Sequence, residues 1–387
     1  MKIAYTTTFD MQSPSSWPKR HLGLYGAGAK IVRVLENEET TVEYLGALTK
    51  KRSPITRLKW MFYRNAFKQD FYSWADPIVG QGYARQIEQK LSESDADILL
   101  CPENAIPLAN VRPDRPMVLW TDATLGSLVD FYPYLSNLCG ETRRNLMRME
   151  KRVLDRCSLL IVNSEWAAQR ANELYDIPLS KVEVIPRGAN KIHDLLADEL
   201  AQIIHERSSQ VCQLLFVAVD WVRKGGDTAL GVARSLNQSG IPTELHVVGC
   251  PPPTGSPDFV IGHGFIDRTT ETGQAEMDKL FRRSHFLMYP TKADALGMAL
   301  SEAAAFGVPA LASRIGGIPG LVKSGVTGET FPVDADWKEY CQFVIPYIKE
   351  PGKYKDLAMS TFRSYRNHMS WPAVGERARN IFKELLN

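Results

Sequence analysis

Short apolar runs alternate with amphipathic stretches along the first half of the chain. Lys2–Thr7, Thr41–Leu45, Asp97–Pro102, Met117–Thr121, Leu159–Asn163 and Val182–Pro186 read as strands. Between them, Ala29–Leu35, Ile55–Lys68, Tyr83–Leu91, Glu141–Leu154 and Glu165–Leu174 carry helical spacing. Apolar runs with no polar face, each followed by a helix, predict parallel strands covered on both sides. The pattern then restarts, with strands at Leu214–Val219, Glu244–Val248, Phe259–Gly262, Phe286–Tyr289 and Pro309–Ala312. Its helices fall at Thr228–Leu236, Gln274–Arg282 and Met298–Phe306. The polar stretch Ala189–Gln210 between the two series predicts an inter-domain connection. A final helix, Ala373–Leu386, spaces Val374, Ala378, Ile381 and Leu385 along one face. The expected class is α/β, with two doubly wound Rossmann-like domains facing across a cleft. One covers 1–195 and the other 205–368, with the terminal helix 370–387 beyond them. In such sheets ligands bind beyond the carboxyl ends of the strands.

Composition narrows the reading. A chain of 387 residues exceeds one ordinary core. Its 44% hydrophobic and 23% charged residues are those of a soluble globular protein. A net charge of +2 does not predict nucleic-acid binding, which needs a strongly basic face. Cys101, Cys139, Cys157, Cys212, Cys250 and Cys341 are scattered without a C-x-x-C, as expected of reduced thiols. The opening residues read as a strand rather than a secretory peptide, and no apolar run reaches membrane-spanning length. A cytoplasmic protein is expected, with the inner face of the cell membrane as a further station.

The candidate chemistry centres on Asp294-Ala-Leu-Gly-Met-Ala-Leu-Ser-Glu302. Two carboxylates bracket a Gly-led helix start, about 12 Å apart if helical. That gap suits a ligand with hydroxyls at both ends and phosphates between, as in a nucleotide diphosphate sugar. N–H groups around Leu296, Gly297 and Met298 would meet the phosphates. Arg223-Lys224-Gly225-Gly226 follows a strand and supplies a second phosphate-binding turn.

Gly23-Leu-Tyr-Gly26-Ala-Gly28 reads as a loop before the first helix, and Gly26 and Gly28 would let backbone approach a donor or acceptor. The spacing is not that of a dinucleotide fingerprint, and close packing is the alternative. Asp122, in Thr121-Asp-Ala-Thr124, is placed to orient the acceptor or the transferring sugar; turn capping is the alternative. Asp95-Ala-Asp97 and Asp334-Ala-Asp336 are explained by capping, and no histidine cluster predicts a metal. Basic and aromatic residues intermix over 50–72. Peripheral contact with an anionic membrane or a lipid-diphosphate acceptor is one reading. An ordinary helix with Leu58, Met61, Phe62 and Ala66 packed inward is the other.

The stretch Tyr289–Pro309 resembles the E-x7-E region of retaining family-4 glycosyltransferases of GT-B fold. Phe216–Gly225 is similar to that family's phosphate-binding turn. Val162-Asn-Ser-Glu165, Val184-Ile-Pro-Arg-Gly188 and Gly316-Gly-Ile-Pro-Gly320 match its connectors. The likeness is strongest over 158–332. It implies that Lys224, with Arg223, contacts the donor phosphates, Glu302 the ribose and Asp294 the transferred sugar. Gly264, Phe265 and Ile266 would hold the base, and the terminal helix 370–387 would cross back to join the first domain. The implied activity is retaining, metal-independent hexosyl transfer without a cofactor. UDP-glucose or a related UDP-hexose is the expected donor, and a saccharide or lipid-linked saccharide in polysaccharide biosynthesis the expected acceptor. A nucleotide-sugar epimerase and a non-catalytic sugar-nucleotide-binding protein are the alternatives. The sequence departs from the family at Asp294, where glutamate is commoner, and at Asp220–Trp221, where an arginine is missing. Near Thr121 a histidine is usual, and at Leu296 an aromatic.

Overall fold

The computed structural model describes residues 1–13, 22–51, 53–112, 114–189, 195–207 and 210–387. The chain divides into two compact units, one of Met1–Pro186 with Val374–Asn387 and one of Arg187–Ala373.

The first unit is built on a parallel sheet in the order β2-β1-β3-β4-β5-β6. Its strands are β1 (Lys2–Thr7), β2 (Thr41–Ala47), β3 (Ile98–Cys101), β4 (Met117–Trp120), β5 (Leu159–Val162) and β6 (Val182–Val184). β3, β4 and β5 are buried along their whole length. That burial on both faces is why their sequences read as unbroken apolar runs. The helices are α1 (Leu22–Leu35), α2 (Pro54–Phe62), α3 (Pro77–Leu91), a single turn α4 (Leu125–Leu128), α5 (Gly140–Arg156) and α6 (Glu165–Tyr175). Starts follow local chemistry: Asp76 accepts the Ile78 N–H ahead of Pro77, and Ser164 accepts the Ala167 N–H.

The second unit repeats the plan, with sheet order β12-β11-β10-β7-β8-β9. Here β7 is Cys212–Val217, β8 Thr243–Val248, β9 Val260–Gly264, β10 Phe286–Tyr289, β11 Ala310–Ser313 and β12 Gly328–Phe331. Its helices are α7 (Ala197–Glu206), α8 (Trp221–Lys224), α9 (Gly226–Gln238), α10 (Glu271–Arg283), α11 (Met298–Ala304), α12 (Ile318–Leu321), α13 (Trp337–Lys349) and α14 (Pro351–Ser364). The last helix, α15 (Trp371–Leu386), begins in this unit, and from Val374 onward it belongs to the first. No helix among the described residues is long and apolar enough to cross a membrane.

Three expectations are corrected. The stretch read as a connection holds α7, whose Leu200, Ile203 and Ile204 are buried in the core of the second unit. Arg207 beyond it donates to the carbonyls of Arg282, Phe306 and Gly307 and to the Tyr354 hydroxyl. Gly26 and Gly28 lie inside α1 rather than in a loop before it. Leu58, Met61, Phe62 and Ala66 do not pack inward; all are exposed.

Candidate functional site

The site in the second unit starts from two glycines. After β7, Asp220 Oδ1 accepts the Arg223 N–H at 3.0 Å and opens the single turn α8. Gly225 closes it at φ +76°, and a Cβ there would lie 1.9 Å from the Pro290 carbonyl oxygen. Only glycine permits that approach. The turn is tied to the segment after β10 by Lys292 N–H to Arg223 O (2.8 Å) and by Arg223 Nη1 to Ala293 O (3.0 Å).

This joint brings Lys224 onto Asp294. The ammonium donates to Asp294 Oδ2 and, at 2.5 Å, to the Tyr289 hydroxyl. That hydroxyl donates to the same Oδ2, and Lys224 Nζ sits 4.4 Å from the Tyr289 ring centroid. Each side chain of the ion pair is only 12% exposed. Burial weighs most on both groups and pulls the Lys224 ammonium below its ordinary value. For Asp294, burial pushes up, but the Lys224 charge and the hydrogen bonds from Lys224 and Tyr289 outweigh it and hold the carboxyl low.

Gly297 caps α11 at φ +87°, where a Cβ would stand 2.8 Å from the Tyr289 hydroxyl. Leu300 N–H donates to Gly297 O at 2.9 Å, while the Met298 and Ala299 N–H groups, at the helix start, have no acceptor within the helix. Leu296 is buried beside them. Further along α11, Glu302 is 2% exposed and takes Arg268 in a fork at 2.8 and 2.6 Å. Arg268 lies in the β9–α10 loop, which follows Gly264, the last residue of β9, and opens with Phe265 and Ile266. Gly264, at φ +66°, accepts the Gly249 N–H at 2.7 Å; Ile266 is buried and Phe265 is largely exposed. The Arg268–Glu302 fork therefore ties α11 to the loop read as the base-holding segment.

The remaining candidates lie in the first unit. Asp122 follows β4 and takes a hydrogen bond from Asn163 Nδ2 at the end of β5. Thr124 caps α4, and Glu150 accepts the Leu125 and Gly126 N–H groups at 2.7 and 2.9 Å. Gly28 is buried, its carbonyl taking the Tyr5 hydroxyl and its α-carbon facing Phe9, where a Cβ would come within 3.0 Å. Close packing thus accounts for Gly28. Both Asp-x-Asp strings have local work: Asp97 accepts the Lys2 N–H and Asp336 the Lys338 N–H.

Four partners escaped sequence reasoning. Tyr289 reads as the last apolar residue of a strand, although its place five residues before Asp294 was a usable signal. Arg268 is 34 residues from Glu302, and no spacing announces that pair. Glu103 follows β3 and accepts the Thr8 N–H and hydroxyl at 2.6 and 2.8 Å. Glu150 was hidden in a charged helix.

Comparison with known proteins adds to this geometry. Residues 201–361 match the family of glycosyl transferases group 1. The matched segment contains Lys224, Arg268, Tyr289, Asp294 and Glu302. A D-inositol 3-phosphate glycosyltransferase of Mycolicibacterium gilvum is 28% identical over 203 residues, 49% of this chain and 45% of that one. Its counterpart in a Mycobacterium species (strain KMS) is 27% identical over 192 residues, 46% of this chain and 42% of that one. Across such curated relatives the match covers 42–58% of their length. Among solved structures, a sucrose-phosphate synthase from Thermosynechococcus elongatus superposes with a TM-score of 0.67 at 17% identity, covering 100% of this chain and 99% of that one. The Anabaena protein HepE, solved in complex with UDP-glucose, gives 0.62 at 14%, covering 99% and 100%. The lipopolysaccharide outer core galactosyltransferase WaaB gives 0.64 at 13%, covering 99% and 100%. The fold is GT-B, two Rossmann-like domains.

Proposed function

We propose that the protein is a glycosyltransferase that moves a hexose from a nucleotide diphosphate sugar to a hydroxyl, keeping the anomeric configuration. The donor is UDP-glucose or a related UDP-hexose, and the acceptor a saccharide or lipid-linked saccharide of a polysaccharide pathway. The observation that carries this reading is the buried Lys224–Asp294–Tyr289 cluster between the Gly225 turn and the Gly297-capped helix. An ammonium has three N–H donors. Asp294 and Tyr289 take two, and the third serves a donor phosphate oxygen. Arg223 and the α11 N–H groups offset the rest of the diphosphate charge, so no metal is required in this scheme.

A carboxylate has about four lone-pair sites, and the Arg268 fork uses two at Glu302. Two remain for ribose hydroxyls. Asp294, held ionised, accepts from hydroxyls of the transferred sugar. In the reaction the anomeric C–O bond to the diphosphate breaks. Lys224 stabilises the departing oxygens, and a phosphate oxygen takes the acceptor's proton as the new C–O bond forms on the same face. The enzyme's contribution is position and fixed charge. Asp122, steadied by Asn163, orients the acceptor or the transferring sugar.

Thermal unfolding with UDP-, GDP- and ADP-sugars tests the reading. At 100 times its dissociation constant a donor adds about 2.7 kcal/mol of stability. A shift confined to UDP-sugars supports it. No shift with any sugar nucleotide, or the same shift with Lys224→Met, removes it. An epimerase would return an isomerised sugar nucleotide without acceptor.

A further inference from the structure

Helix α2 presents its apolar side outward. Its buried residue is Thr56. Lys59, one turn on, binds Asp76 at 3.0 Å and Glu141 at 2.5 Å, and Tyr63 donates to Glu141 and stacks on Phe71. Positions 56, 59 and 63 therefore form the packing side. Ile55, Leu58 and Phe62 each precede one of these by one residue and so share another stripe, about 100° around the helix. They are 53%, 65% and 56% exposed, and Phe67 on the following wide turn is 57% exposed. A soluble helix ordinarily turns such a stripe to the core.

The platform is fixed. Asp70 N–H donates to Asn137 O at 2.8 Å, and Cys139 N–H returns to Asp70 O at 3.0 Å. Tyr72 donates to the Tyr134 carbonyl at 2.6 Å, placing the exposed Tyr134 ring in the same region. The charge on the stretch that carries the stripe has one sign. Lys51, Arg57, Arg64 and Lys68 are exposed, and no Asp or Glu occurs from Lys50 to Gln69. Arg64 lies over the exposed Trp60 ring, 5.3 Å from its centroid.

We propose that α2 and the turn after it form a docking surface for an anionic phospholipid bilayer. Leu58, Phe62, Ile55 and Phe67 enter the headgroup–acyl boundary while the cations meet lipid phosphates. An apolar stripe flanked by cations and interfacial aromatics is the pattern of helices that lie in that plane. A second copy fits less well. A two-fold contact would set this stretch against itself and bring cation to cation. The inference deepens the proposed reading, because a lipid-linked acceptor is met at a membrane surface, but it needs neither donor nor acceptor to be tested.

Co-sedimentation of the full chain with phosphatidylglycerol-containing vesicles and with pure phosphatidylcholine vesicles is the experiment, at low and high salt. Binding to the anionic vesicles is expected, weakening as salt rises. Leu58→Ser with Phe62→Ser should lower partitioning more than tenfold. Arg57→Gln and Arg64→Gln should each cost about fivefold. Donor-induced thermal shifts of these variants check their folding and should match the parent. No binding to anionic vesicles at low salt, or equal binding by the Leu58/Phe62 variant, overturns the proposal. So does a dimer of the parent that the same pair dissolves. Lipid binding without any response to sugar nucleotides would instead leave this surface standing and remove the transferase reading.

Discussion

Glu103 and Glu150 in the first unit and Asp294 and Glu302 in the second are all nearly closed off from water. Their partners differ. Glu103 faces the N–H and hydroxyl of Thr8; Glu150 faces two backbone N–H groups and the Tyr175 hydroxyl. Burial is the larger influence at both, and each is pushed up to about 7. Asp294 faces the Lys224 ammonium and is held low, and Glu302 is gripped by the Arg268 fork. At Glu103 and Glu150 the hydrogen bonds from neutral donors fall short of the cost of burial, whereas at Asp294 the ammonium and its hydrogen bonds outweigh it. The first unit's acids therefore exchange protons near neutrality. The second unit's Asp294 presents a fixed negative charge, the state that the proposed contact with sugar hydroxyls calls for.

The largest effect that would break this contrast comes from removing a cation. Lys224→Met leaves Asp294 buried without its charge partner, a loss of about 3–5 kcal/mol by chemical denaturation at neutral pH. Arg268→Leu should fall at the low end of that range, because its side chain is 29% exposed. If both variants keep full stability, these ion pairs do not organise the second unit.

Glu103→Gln should move the other way. An amide can accept the Thr8 N–H and donate to the Thr8 hydroxyl, so the geometry survives. A carboxyl raised from 4.5 to about 7 gives stability that is complete below pH 4.5 and lost as pH rises through 7. The variant should match the parent at pH 4.5 and exceed it by roughly 3 kcal/mol at pH 8. Urea midpoints across that range would show it. A variant less stable than its parent at pH 8 would place an ionised, satisfied carboxylate at residue 103.

Smaller again is Tyr289→Phe. Losing a hydroxyl that bonds a carboxylate and an ammonium costs about 1.5–3 kcal/mol. It should also raise the Asp294 carboxyl, moving the acid limb of the proposed transfer activity to higher pH. An unchanged acid limb would mean that Lys224 alone holds that charge.

The paired sheets were legible because buried parallel strands carry unbroken apolar runs; Lys2–Thr7 and Phe286–Tyr289 emerge with their ends intact. The segment holding Lys224, Asp294 and Glu302 was legible because turn glycines and a helix start leave local marks. What sequence hid was long-range or ambiguous. Arg268 reaches Glu302 only through the folded loop. β12 (Gly328–Phe331) carries Glu329 and Thr330 and lacks an apolar run. α7 shows Asp198, Glu199 and Gln202 along with Leu200, Ile203 and Ile204, and its polar side suggested a linker. Gly26 and Gly28 imitate a loop because glycine is a poor helix former. Packing against Phe9 and Tyr5 explains Gly28.

Calorimetric titration of UDP and of uridine into the parent and into Lys224→Met tests the centre of the account. UDP should bind the parent and weaken at least tenfold, about 1.4 kcal/mol, in the folded variant, with uridine indifferent to the change. Equal UDP affinity for both proteins, or no UDP binding to the parent, would contradict a diphosphate held by Lys224.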